Sequence, residues 1–195
     1  MTVFGVLISP HQVREAVNSH LQLWLPSYLA ELERQNERDS GSLPPFKSVV
    51  NTARLESMPE DQLPRLILIT PGTIGDFKID EEDRYQAKFS LALGTVTSAT
   101  DQAGANKLSE LYVLACAAAL VQHPKLPELS TSVTLKRFSF DEGPREQERS
   151  LALAVAYFEI DVGDILAGSE GPTEPDVDPA DWPEVETVEV EVART

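Results

Sequence analysis

The side chains able to do chemistry in this sequence are few, and their spacing brings none of them together. Histidines stand at positions 11, 20 and 123. His20 falls on a helical stripe near Trp24, where a packed amphipathic side chain is the simple reading. His123 ends a helix, where a cation complements the dipole, and His11 sits in a first helical turn. Cys116 lies within "LACAAAL" and reads as a small core hydrophobe, because a nucleophilic thiol wants an exposed, electropositive setting. The run Asp80-Glu81-Glu82-Asp83 carries charge enough for a divalent cation. It lacks the glycine and the ligand spacing of a calcium loop, and Asp176, Asp178 and Asp181 fail the same test. Both sets read as solvated charge. No dinucleotide or nucleotide glycine loop, nucleophile elbow, C-x-x-C or H-E-x-x-H is present. Spacing alone assigns no pair of carboxylates to acid–base work. The expectation is no enzyme, no metal and no cofactor.

The bulk numbers agree with a binding or structural role. Thirty-two acidic residues against 16 basic ones leave a net charge of −16. That speaks against direct binding of nucleic acid, which needs clustered Lys and Arg to neutralise phosphates, and against docking on anionic membranes. Its plain meaning is solubility. An apolar fraction of 42% over 195 residues suits one domain with a real core and room for tails. A single cysteine excludes an intrachain disulfide. The start "MTVFGVLISPHQ" lacks the basic region and the apolar length of a secretion signal. No segment approaches the roughly 18 apolar residues of a membrane span. The chain reads as soluble and made in a reducing compartment.

Ser9, Pro10 and Gln12 form a helix start with a capping box. Val13, Ala16, Val17, His20, Leu21 and Trp24 then repeat at helical spacing. Pro26 is expected to kink or restart this helix, which continues through Tyr28, Leu29 and Leu32 to about residue 38. "FKSVVNTA" suits a short strand. "RLILIT", apolar on both faces and stopped by "PG", reads as a central strand. "TIGDFKIDEED" is a turn or protruding hairpin. In "RYQAKFSLAL" Tyr85, Ala87, Phe89, Leu91 and Leu93 alternate with Arg84, Gln86, Lys88, Ser90 and Ala92, the pattern of a strand with one apolar and one polar face. A helix then runs from a cap at Thr100 or Asp101 to about Gln122. It is apolar or small at nearly every position from Leu114 to Val121, so it needs covering on more than one side, by the sheet and by the first helix or another subunit.

Two further strands, 132–140 and 150–162, are joined across the polar stretch "DEGPREQER" as a hairpin. Both are expected to change faces midway through a bulge. Residues 168–195 hold nine acidic residues, one basic residue and four prolines, half of the chain's net charge. This segment reads as a disordered acidic tail. Within it, "VETVEVEV" alternates in the manner of an edge strand able to add to a sheet on this or another subunit. The expected architecture is α+β: one mostly antiparallel sheet packed against two helices over 1–167, followed by the acidic tail.

Five pieces carry a likeness when taken together. They are the N-terminal amphipathic helix, "LPRLILITPG", "RYQAKFSLALGT", the Ala-rich helix "NKLSELYVLACAAAL", and the closing hairpin "SVTLKRFSFDEGPREQERSLALAVAYFEIDV". Over residues 8–163 this pattern resembles the tail terminator proteins of long-tailed bacteriophages with flexible tails. The long first helix and the acidic tail depart from it. The resemblance implies a virion protein without catalysis, made in the host cytoplasm and placed at the head-proximal end of the tail. It implies a homo-oligomeric, hexameric ring that ends polymerisation of the tail tube and joins tail to head. The implied partners are other copies of the chain, the tail tube protein and a head–tail connector or neck protein. On this reading Arg84, Lys88 and Tyr112 are expected at the subunit interface. Loops 72–83 and 141–149, with Asp76, Lys78, Asp80, Glu142 and Arg145, are expected to touch tube or neck, and Trp182 to act as a docking anchor in the tail. The competing readings are another phage neck or head–tail joining protein, a small acidic enzyme or ligand-binding domain, and a monomeric adaptor working through its tail.

Overall fold

The computed structural model describes residues 8–51, 60–70, 75–79, 84–126, 129, 131–146 and 149–167. The elements are α1 (Pro10–Gln35), β1 (Ser48–Val50), a 3-10 turn (Glu60–Gln62), β2 (Arg65–Ile69), β3 (Gly75–Ile79), β4 (Arg84–Ala99), α2 (Gln102–Gln122), β5 (Thr131–Glu146) and β6 (Arg149–Ala167). The fold is α+β, as expected.

Helix α1 starts where its cap predicts. The Gln12 amide donates to Ser9 Oγ at 3.3 Å, and the Ser9 amide donates to Gln12 Oε1 at 2.7 Å. No restart occurs at Pro26: the helix runs through it as one element of 26 residues. Pro26 and Gln22, whose carbonyl loses its usual donor, are both exposed, so water serves the orphaned group. The helix ends at Gln35, short of residue 38. Glu37 turns left-handed (φ 51), and the Arg38 amide closes back on the Glu33 carbonyl at 2.9 Å. The Leu43 and Gly41 amides then donate to the Glu33 carboxylate at 2.6 and 3.0 Å, which holds that carboxyl below its ordinary range.

The sheet order is β1-β2-β4-β6-β5, with β3 beside the first half of β4. Among the described strands only β1 and β2 run parallel. "RLILIT" is interior, as its two apolar faces require. Within the expected turn or hairpin, "GDFKI" contributes an arm that pairs with β4. The loop expected at 141–149 is largely strand: residues up to Glu146 remain paired with β6, Arg145 opposite Ser150.

Both register shifts of the closing hairpin lie in β5, between Leu135 and Arg137 and between Glu142 and Arg145, rather than one in each strand. Between Leu135 and Arg137 the pairing shifts by one residue, so β5 changes faces there. Strand β6 does not: it keeps one register against β4 from Ala87↔Val162 to Ala99↔Ser150. Ala152, Ala154, Ala156, Phe158, Ile160 and Val162 therefore share a single buried face. What changes along that face is side-chain size. The alanines leave room for α2.

That room is used. Thr95 Oγ1 donates to the Ser109 carbonyl at 3.0 Å, Ser109 Oγ donates to the Thr95 carbonyl at 2.9 Å, and Thr97 Oγ1 donates to the Ala105 carbonyl at 2.9 Å. Helix and strand backbones are linked through short hydroxyls, and no long side chain fits between them. α1 closes the flank of α2, with Tyr28 Oη donating to Gln122 Oε1 at 2.8 Å and His20 meeting the Ala119 carbonyl. By length and composition alone α2 is apolar enough to cross a membrane, because its alanines count as apolar. Its burial between sheet and α1 is that of a core helix.

The outer face of the sheet is polar along only half of β4. Gln86 and Ser90 are exposed, but Val96 joins Leu63, Ile67 and Leu151 in a second apolar cluster, with Val50, Ile69 and Leu153 packed against it. The alanine face generates a prediction. Ala156→Leu will overpack the α2 contact and cost about 1–3 kcal/mol in urea unfolding. Ser90→Leu, on the exposed face of the neighbouring strand, will shift stability by no more than about 0.5 kcal/mol.

Candidate functional site

Two helical turns separate Leu114 from Val121, so both project from the same side of α2. That side is covered by neither the sheet nor α1, and each residue is 45% exposed. Phe140 of β5 is 54% exposed. It shares a small surface cleft of about 140 Å³ with Asn106, Glu110 and Ala154, one turn of α2 before Leu114. Leu114, Val121 and Phe140 thus form an apolar flank along α2 and the β5 side of the domain.

A second apolar patch lies across the sheet. Phe77 and Ile79 of β3 are each 57% exposed, and β3 borders β4 on the side away from β6 and β5. The two patches sit at opposite edges of the sheet, separated by β4 and β6. Sequence reading directed attention to the charged neighbours of these residues and missed the aromatics. The usable signal was "DFKI", whose alternation places two large apolar residues on an arm too short to bury them.

Between the patches the outer sheet face carries paired charge. Glu159 accepts Lys136 Nζ at 2.5 Å and lies 3.7 Å from Lys88 Nζ. Its hydrogen bond with Lys136 is the main reason its carboxyl sits below the ordinary range. The Arg137 guanidinium lies 4.3 Å above the Tyr157 ring. Ser132 Oγ donates to Asp161 at 3.2 Å.

The expected interface residues part company here. Lys88 is half-buried on the outer face and meets Glu159 of its own chain. Arg84 begins β4, opposite Ala167. Tyr112 is not at the surface: it is 2% exposed, donates to the Pro44 carbonyl at 2.6 Å and packs against Phe46. Its place on the α2 stripe that faces the 43–46 segment explains this, and burial pushes its phenol pKa up. Of the expected contact residues, Asp76 and Lys78 lie in β3, with Lys78 exposed, and Glu142 and Arg145 lie in β5 opposite β6 residues. Asp80, the acidic run 80–83 and Trp182 lie outside the described residues.

His20 and His123 serve packing, while His11 is exposed in the first turn of α1. The His123 ring stacks on Trp24 with centroids 3.6 Å apart, and Tyr28 meets it edge-on. His20 is 2% exposed beneath this stack. Cys116 is fully buried, which pushes its thiol pKa up and away from nucleophilic use. Among the described residues no group of three or more His, Cys, Asp or Glu side chains could hold a metal ion. A cleft of about 360 Å³ lies between α1 and β1. It is shallow and lined by His11, Arg14, Asn18 and Val49, with Arg14 bonded to Thr70.

No protein-family model matches the chain, and no curated protein matches it. Among solved structures it is similar to a chain in the "Virion of native gene transfer agent (GTA) particle", with a TM-score of 0.39 and 13% identity, covering 68% of this chain and 91% of that one. A likeness at that level assigns nothing to this chain.

His20 makes the α1–α2 contact sensitive to acid. Burial is the largest influence and lowers its pKa from the ordinary 6.5, the Ala119 carbonyl opposes this, and the neighbouring charge of His123 lowers it further. The unfolded chain therefore binds the extra proton first. Stability is full above pH 6.5 and falls as pH drops from there through the lower folded pKa. The unfolding midpoint in urea will fall between pH 7 and pH 5, and His20→Gln, which keeps a donor for Ala119, will flatten that fall.

Proposed function

We propose that this chain is a structural virion protein whose subunits join edge to edge into a ring that caps a phage tail tube, ends its polymerisation and seats the head-joining proteins. The observation that carries this reading is the pair of unlike apolar patches at opposite edges of one sheet. A self-complementary dimer needs only one patch. Two different patches suit a head-to-tail contact, in which the α2 flank of one subunit meets the β3 arm of the next. Such a contact closes into a ring when its rotation divides the circle, and closure is what a cap needs.

Three further features support the reading. The element order follows the pieces on which the sequence resemblance rests. Among the described residues, His20, His123 and Cys116 are engaged in packing, as suits a protein working through assembly. The β3 arm pairs with the first half of β4, and the β5–β6 pairing ends beside Ala99 at the other end of that strand; these are the two places where tube and neck proteins would be met. In this ring Arg84 and Lys88 lie on the face turned to the channel or to a neighbour, and Asp76, Lys78, Glu142 and Arg145 lie on the axial contacts.

Native mass against protein concentration, with negative-stain images, tests the ring, and addition to growing tail tubes tests the cap. Closed rings that halt growth are the expected result. Rings that bind only the head connector would make the chain a neck protein instead. Leu114→Asp with Val121→Asp, and separately Phe77→Asp, will each abolish rings while changing monomer stability by about 0.5 kcal/mol or less. A mixture of the two variants will stop at dimers, since each keeps the patch that the other lacks. Intact rings from Phe77→Asp would sink the edge-to-edge arrangement.

A further inference from the structure

Among the described strands, β5 pairs with β6 alone and β3 with β4 alone, so each leaves one edge open. β5 is sixteen residues long, the kind of edge that natural proteins cover or blunt. The two open edges match in face. Ile79 lies opposite Tyr85, which packs against the main core, so Ile79 and Phe77 stand on the helix side of the sheet. Val133 and Leu135 of β5 lie opposite the buried Ile160 and Phe158, on that same side, and are half-buried. Lys78, opposite Gln86, and Thr134, opposite Glu159, are exposed on the outer side.

The edges also match in direction. β6 runs against both β4 and β5, so β5 runs with β4, whereas β3 runs against β4. Copies held in one orientation, as neighbours around a ring are, therefore bring β5 of one and β3 of the next together antiparallel. We propose that the sheet continues from copy to copy: β3 of one subunit pairs with β5 of the next, Lys78 opposite Thr134, Phe77 opposite Leu135 and Ile79 opposite Val133. This inference rests on the ring reading and names how its two edges meet.

Strand spacing permits this register. Lys78 is level with Gln86 of β4, and Thr134, through Glu159 of β6, is level with Ser90. Gln86 and Ser90 are four residues apart. The neighbour's β3 is thus displaced by about 13 Å along the strands over four strand spacings of about 4.8 Å each. That stagger corresponds to a strand tilt of about 35°, as closed sheets adopt. The pairing covers the exposed Phe77 and Ile79 on the side where α2 leaves Leu114 and Val121 open. It also supplies backbone partners to the open edge of β5, which a contact of side chains alone would leave to water.

The test joins Lys78→Cys and Thr134→Cys in one chain. Both positions are exposed, and the natural Cys116 is buried. Residues directly opposite on paired strands are close enough for a disulfide. Under mild oxidation the double variant is expected to give a ladder of covalently linked copies that reductant collapses, and neither single variant to pass the dimer. Amide exchange over residues 131–137 of the unsubstituted chain is expected to slow about tenfold when subunits assemble. Oligomers showing neither a ladder nor β5 protection would overturn the sheet continuation and leave the ring standing. Protection without a ladder, or an equal ladder from Lys78→Cys with Ser139→Cys, would overturn this register. Protein that stays monomeric at every concentration and on tail tubes would sink the ring reading, and this pairing with it.

Discussion

Helix α2 lies close enough to the sheet for the Thr95 hydroxyl to reach the Ser109 carbonyl, and the rest of the domain is arranged around that closeness. It requires short side chains where helix and sheet cross, which β6 supplies as Ala152, Ala154 and Ala156. It admits buried hydroxyls only because each finds a backbone partner, as an unsatisfied one would cost more than the contact gains. Large side chains are then needed where the helix diverges, and Phe89, Phe158 and Ile160 fill that space. Helix α1 follows as the cover for the flank of α2 that the sheet leaves open.

A domain organised this way has one well-covered layer and several open edges. The sheet grows outward from β4 and β6, so its apolar surplus collects at the edges, on Phe140 at one side and on Phe77 and Ile79 at the other. α2, bounded by sheet and α1, leaves Leu114 and Val121 on its remaining side. Exposed apolar residues are ordinary when scattered. Grouped on two unlike edges of a strongly acidic chain, they suit contacts made in a fixed geometry. In the proposed ring, net charge would keep free subunits apart at long range while the edges supply short-range adhesion.

The charged groups on the outer face do not compete with this arrangement. Lys88, Lys136 and Glu159 pair across neighbouring strands in partly exposed positions, where such bridges add little to stability. Their effect is to keep the centre of the face polar. The second apolar cluster, around Ile67, Val96 and Leu151, occupies the other end of that face.

The sequence by itself determined the elements whose signals are local. The Ser9–Gln12 box placed the start of α1, alternation from Tyr85 to Leu93 placed the helix-side face of β4, and flanking turn signals marked Arg65–Ile69 as interior. It also showed that the histidines and Cys116 were too scattered for a recognisable motif. Tertiary structure decided whatever depended on which surface meets which. Pro26 was harmless because its side of α1 faces water. A change from alanine to Phe, Ile and Val in β6 looked like a change of face, and proved to be a change of size against a nearby helix. Tyr112 has the same helical spacing whether it faces a neighbour or the 43–46 segment, and only the path of that segment buries it. Phe77 and Ile79 were legible as apolar, but their exposure is a property of where β3 stops. Periodicity reports which side of an element a residue occupies; only packing reports what lies on that side.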